Sequence, residues 1–216
     1  MILRLTNRRW NVIIIITFSI KALIRVRGDI KVNIRELLEN TPIIAAVKNE
    51  EELQNALNSE VEIVFVLYGN IINISDISKK VKEKDKVAVI HIDLVEGLAN
   101  KEVAIKFIKE FTDFDGIIST KPALIRIAKA NGLIAIQRMF ISDSISLENA
   151  KNHMSNPCDA LEILPGIIPK VITELSQKYD KPVVAGGLIS NKDDVISALS
   201  AGAACVSTSK KEIWTI

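Results

Sequence analysis

His91 and Asp93 stand two residues apart at the end of an apolar run, His91-Ile92-Asp93-Leu94. Alternate residues of a strand point to the same side. The pair can therefore act as acid and base, bind the hydroxyls of a polyol, or sit as an interior polar link between layers. Gly186-Gly187 follows a second apolar run, and Ser207-Thr208-Ser209 ends a third. Glycines there expose backbone N–H groups without side-chain interference, and the hydroxyls add donors at the start of a short helix. This is the composition of a phosphate cradle, although the same residues also suit a tight turn and a helix cap. Arg138 and Lys121 supply cations for a phosphate or for RNA. Glu162 can accept from a ligand hydroxyl or pair with Arg138.

These residues need a scaffold, and the apolar pattern supplies one. Eight short runs occur at 43–47, 62–67, 86–92, 116–119, 133–138, 160–164, 182–185 and 205–207. Between them, apolar residues spaced three and four apart mark helices at 51–57, 103–111, 123–130, 147–154, 168–177 and 192–199. Asn49 before Glu50, Glu51 and Glu52, and Asn191 before Lys192, Asp193 and Asp194, have the form of helix N-caps followed by acids. Gly132 and Gly202 fall where helices must stop. Repeated strand–helix units with short loops predict a single (β/α)8 barrel of the TIM type with an N-terminal extension; an open doubly wound sheet is the alternative. In a barrel of this kind the candidate residues all fall at the C-terminal ends of strands, the usual working face.

Composition agrees with this reading. Of 216 residues 48% are apolar but only 5% aromatic, so the core is built from aliphatic side chains, as buried parallel strands require. Cys158 and Cys205 have no metal-ligand spacing and form no CxxC pair, which predicts two small core hydrophobes in a reducing compartment. No P-loop, Rossmann fingerprint or Ser–His–Asp order is present, and neither a metal nor a cofactor is expected.

The formal charge of +2 is unevenly spread. Residues 1–31 hold Arg4, Arg8, Arg9, Lys21, Arg25, Arg27 and Lys31 against Asp29 alone, leaving 21 basic and 25 acidic residues for the remainder. An acidic body is an unusual footprint for a nucleic-acid binder, so any RNA site must be a local patch. Lys79, Lys80, Lys82, Lys84 and Lys86 form one such cluster, which also reads as a solvated helix face. The apolar stretch 12–24 is shorter than the ~20 residues of a membrane-spanning helix and contains Lys21. Residues 1–31 read as an extension, either untranslated leader ahead of a start at Val32 or a short anchor, and residues 32–216 as the barrel. His153, in a helical pattern, reads as a surface residue.

Several motifs together resemble one family. His91-Ile92-Asp93-Leu94 with Gly97, Gly116-Ile117-Ile118-Ser119-Thr120 and Ala135-Ile136-Gln137-Arg138-Met139-Phe140 are similar to the glycerol-3-phosphate-responsive antiterminators. So are Glu162-Ile163-Leu164-Pro165-Gly166, Ala185-Gly186-Gly187, the stretch Ala198-Leu199-Ser200-Ala201-Gly202-Ala203, and Ser207-Thr208-Ser209 with Trp214. The resemblance implies a cytoplasmic barrel that binds glycerol 3-phosphate and acts on the leader mRNA of glycerol-utilisation genes, preventing premature termination without turnover. It also implies a ligand pocket at Asp93, Arg138, Glu162, Gly186, Gly187, Ser207 and Thr208, to which the residue types add His91 and Ser209. RNA contact would fall to Lys121, Lys79, Lys80 and Lys82, or to an induced homodimer surface; no membrane is expected. The competing expectation is an enzyme acting on a small phosphorylated polyol or sugar, with His91 and Asp93 as its acid–base groups.

Overall fold

The computed structural model describes residues 34–153 and 157–215, apart from the side chain of His153. The expectations for the extension, the Val32 start, the 12–24 stretch and the surface position of His153 lie outside the described residues.

Eight parallel strands close in chain order: β1 (Ile43–Val47), β2 (Ile63–Val66), β3 (Val87–His91), β4 (Gly116–Ser119), β5 (Ile134–Phe140), β6 (Ala160–Leu164), β7 (Val183–Gly186) and β8 (Cys205–Thr208). The closing pair sets Ile43, Ile44 and Ala45 of β1 opposite Val206, Ser207 and Thr208 of β8, which excludes the open sheet. The helices are α1 (Ile34–Asn40), α2 (Glu50–Leu57), α3 (Ile74–Lys82), α4 (Glu102–Phe111), α5 (Pro122–Ala130), α6 (Ser144–His153), α7 (Pro169–Lys178) and α8 (Lys192–Ser200). Single 3-10 turns follow β3 at Ile92–Leu94 and β8 at Lys211–Ile213.

Strand alternation sorts the core into two shells. One series, including Ala45, Val47, Val64, Val66, Ala88, Ile90, Ile117 and Leu161, packs outward with helix residues such as Leu53, Ile77, Ile105, Ile125 and Leu175. The other series points inward. Near the N-terminal ends of the strands, Ile63, Phe65, Val87, Val89, Ile134 and Ile136 line a small cavity with Ile34, Leu37 and Leu38 of α1, so this helix covers the closed end of the barrel. Both cysteines are free and buried, as their sequence context predicts.

The helix starts follow their caps. The Asn49 side chain accepts from the Glu52 amide at 2.8 Å, and the Glu52 carboxylate reaches back to the amide of Lys48 at 2.7 Å. Asn191 and Asp194 form a reciprocal capping box at α8. A different device recurs at the N-terminal ends of the strands. Asp115, just before β4, accepts from the Ala88 amide of β3 at 2.8 Å and from Lys82 of α3 at 2.7 Å. Asp159, just before β6, binds the Ala135 amide of β5 at 3.0 Å and the ammonium of Lys129 of α5 in the same way. Each aspartate thus ties a helix end to the strand before it and the strand after it.

Candidate functional site

The expected polar residues converge at the C-terminal mouth. Register places Arg138 opposite Glu162 and Gly186 opposite Ser207. Glu162 is buried, and its two oxygens are both used: Arg138 Nε donates to Oε2 at 2.6 Å and Ser207 Oγ to Oε1 at 2.7 Å. Of the two readings open for Glu162, the geometry realises the pairing with Arg138. Gly186 is the space that permits this arrangement. A Cβ there would lie 2.7 Å from Ser207 Oγ and 2.8 Å from Glu162 Oε1. Gly187 has φ +74°, a left-handed conformation that glycine adopts without strain, and Leu188 continues the turn at φ +61°.

His91 closes β3, but Asp93 lies beyond the strand on the 3-10 turn, so simple strand alternation does not relate the two side chains. Asp93 instead turns to β4. It accepts from Ser119 Oγ at 2.8 Å, from the Thr120 amide at 2.7 Å and from Thr120 Oγ1 at 2.9 Å. Burial pushes its carboxyl up, but these three bonds together outweigh burial and hold it below its ordinary value. His91 is 4% exposed and its Nδ1 has no hydrogen-bond partner among the described residues. Burial first, then the Arg138 guanidinium, lowers its pKa to about 4, with Asp93 opposing. The imidazole is therefore neutral near pH 7.

The loop after β8 (loop 8) is held by the hydroxyl of Thr208. Thr208 Oγ1 donates to the Ile189 carbonyl at 2.9 Å and accepts from the Lys210 amide at 3.2 Å, while Trp214 Nε1 donates to the Thr208 carbonyl at 2.9 Å. Thr208 thus locks the loops after β7 and β8 together, and Trp214 anchors the second of them. Ser209 accepts a 3.1 Å bond from Lys48 Nζ, a residue just past β1. Sequence reasoning did not single out Lys48; a lysine immediately after the first strand was the available signal. Gln137 was also missed as a support. It is buried, and its Nε2 lies within bonding distance of the Ser119 and Thr120 carbonyls at 3.2 and 3.1 Å, which braces the turn that holds Asp93.

The lysines expected to meet RNA separate into two places. Lys121 is at the mouth, 4.0 Å from Asp93. Lys79, Lys80 and Lys82 lie on α3, where they pair with Asp76 at 3.8 Å, Glu50 at 2.6 Å and Asp115 at 2.7 Å. Lys86 is buried and donates to the Ser59 and Val61 carbonyls. Among the described residues, no helix is long and apolar enough to cross a membrane.

Fold and mouth together define a closed (β/α)8 barrel with paired polar side chains inside its C-terminal end and a glycine–hydroxyl loop pair above them. The chain belongs to the glycerol-3-phosphate responsive antiterminator family, whose model matches residues 43–214. It is 47% identical over 182 residues to the Escherichia coli (strain K12) protein YgcP, covering 83% of this chain and 95% of that one. It is similar to the glycerol uptake operon antiterminator regulatory protein of Listeria monocytogenes, with 34% identity, TM-score 0.78, and 81% and 95% of the two chains covered. A glycerol uptake operon antiterminator-related protein of Thermotoga maritima is similar at 31% identity and TM-score 0.73, with 81% and 98% covered.

Proposed function

We propose that this chain is a glycerol-3-phosphate-responsive transcription antiterminator, which binds the leader mRNA of glycerol-utilisation genes and prevents premature termination. Residues 32–216 are the antiterminator domain in this reading, working in the cytoplasm. The effector site is the mouth, with His91, Asp93, Arg138 and Glu162 shaping its interior and Gly186, Gly187, Ser207, Thr208 and Ser209 forming the phosphate side. Family membership supports the effector.

The observation that carries the reading as a sensor is the engagement of both mouth carboxylates. Glu162 is held by Arg138 and Ser207, and Asp93 by Ser119 and Thr120. With both acids engaged, a neutral histidine can bind a hydroxyl, but it is poorly equipped to cycle protons through a reaction. The competing enzyme reading draws on the same His91, whose Nδ1 is buried and has no hydrogen-bond partner among the described residues. A gel-shift experiment tests the regulatory part, using leader RNA of a glycerol-utilisation gene with and without glycerol 3-phosphate. Retention of the RNA only with the effector is expected. Equal behaviour with and without it would contradict a responsive antiterminator.

A further inference from the structure

We infer that Lys48 is an anion-binding residue of the mouth, supplying a cation for a phosphomonoester dianion at the β1–β8 edge. The inference rests on the ligand-sensing reading above and deepens it.

Arg138, Lys121 and Lys48 stand near the mouth, with Lys210 and Lys211 following Ser209 on the loop after β8, and the surroundings of the first three differ. Arg138 donates through Nε to Glu162 at 2.6 Å inside the barrel, so its charge is already shared with a buried carboxylate. Lys121 faces Asp93 at 4.0 Å. Lys48 faces a neutral hydroxyl, Ser209 Oγ at 3.1 Å, and among the described residues no carboxylate lies within ion-pair distance of it. An unneutralised ammonium on a hydroxyl of loop 8 is what a phosphate oxygen needs as a charge-assisted donor beside a neutral one.

The chain segments that carry the two partners are held in place. The Lys48 amide is tied to the Glu52 carboxylate at 2.7 Å, directly ahead of the α2 cap. Ser209 follows Thr208, whose hydroxyl and carbonyl are bonded to Ile189 and Trp214. The register of β1 with β8, Ala45 opposite Thr208, brings the two chain segments side by side.

Calorimetric titration of the full chain and of Lys48→Met and Lys48→Arg tests this, with glycerol 3-phosphate as ligand at low and high salt. The expected result is roughly tenfold weaker binding for Lys48→Met, substantial rescue by Lys48→Arg, and a shallower salt dependence in the Met variant. Lys48 is exposed, so the thermal midpoint should stay unchanged. Binding by the parent with less than a threefold change in Lys48→Met overturns the assignment alone. Absence of binding by the parent overturns the effector reading and the assignment together.

Discussion

Arg138 on β5 and Glu162 on β6 are register partners and close a 2.6 Å ion pair that is almost wholly buried in the barrel. Ser207, from β8, completes the carboxylate's bonding across β7. Removing one partner of such a pair costs about 3–5 kcal/mol, because the other charge stays buried alone, whereas replacing both with apolar residues of similar volume costs far less. Glu162→Gln should therefore lower the urea midpoint strongly. A double variant, Arg138→Met with Glu162→Met, should recover most of the loss. Additive losses in the double variant would contradict the pairing.

Two glycines separate contact from conformation. At Gly186 a methyl would meet Ser207 Oγ and Glu162 Oε1 at under 3 Å, both fixed by their own bonds. At Gly132 nothing lies within 4 Å, and only φ +74° resists a side chain. Gly186→Ala should cost roughly 1–3 kcal/mol by overpacking, and Gly132→Ala about 1–2 kcal/mol from the left-handed backbone. The distinguishing readout is ligand binding, which Gly186→Ala should impair and Gly132→Ala should leave intact.

His91 sets a pH dependence with a definite sign. Its folded pKa of about 4 lies below the ~6.5 of an exposed histidine, so the unfolded chain binds more protons between those values. The stability from neutral His91 is complete above ~6.5 and is lost as pH falls toward 4, a change of roughly 3 kcal/mol. Asp93, also lowered, adds a loss at still lower pH: its contribution is present above ~3.9 and disappears as pH falls through its folded value. His91→Leu should flatten the slope of unfolding free energy between pH 6.5 and 4.5, measured by urea titration at each pH. An unaltered slope would show that another group titrates there.

The aspartate clasps should behave alike because they are built alike. Asp115→Ala strips the Ala88 amide and Lys82 of a partner, and Asp159→Ala does the same to Ala135 and Lys129. Each should destabilise by roughly 1–3 kcal/mol, the cost of an unsatisfied part-buried donor. Both sites lie at the end of the strands remote from the mouth, so affinity for the effector should not change. A loss of binding without a loss of stability would contradict a purely structural role.

The strands were readable because a parallel sheet covered on both faces demands uninterrupted apolar runs. The runs at 43–47, 116–119 and 160–164 coincide with β1, β4 and β6, and the others differ by one or two residues at an end. The extension of β5 to Phe140 follows from its pairing with Leu164, a long-range partner that periodicity cannot reveal. Helices α1 and α3 fall outside the segments marked by apolar spacing. Asn73, ahead of α3, makes no side-chain cap bond, and α1 is seven residues long, so neither start is strongly signalled. The residue types of the mouth were legible, but their wiring was not. Which oxygen of Glu162 meets which donor depends on strand register and closure. Asp93 leaves its strand for a 3-10 turn, and Lys48 acquires meaning only when β1 lies beside β8.

We propose that the mouth senses glycerol 3-phosphate without consuming it. Calorimetric titration with glycerol 3-phosphate, with glycerol and inorganic phosphate as controls, tests this most directly when the ligand is recovered and analysed afterwards. Saturable binding of glycerol 3-phosphate in preference to either control, with full recovery of the ligand, is expected. Loss of binding is also expected in Gly187→Asp, which places a carboxylate and a strained φ in the loop after β7. Absence of binding, or conversion of the ligand to a product, would contradict sensing at the mouth.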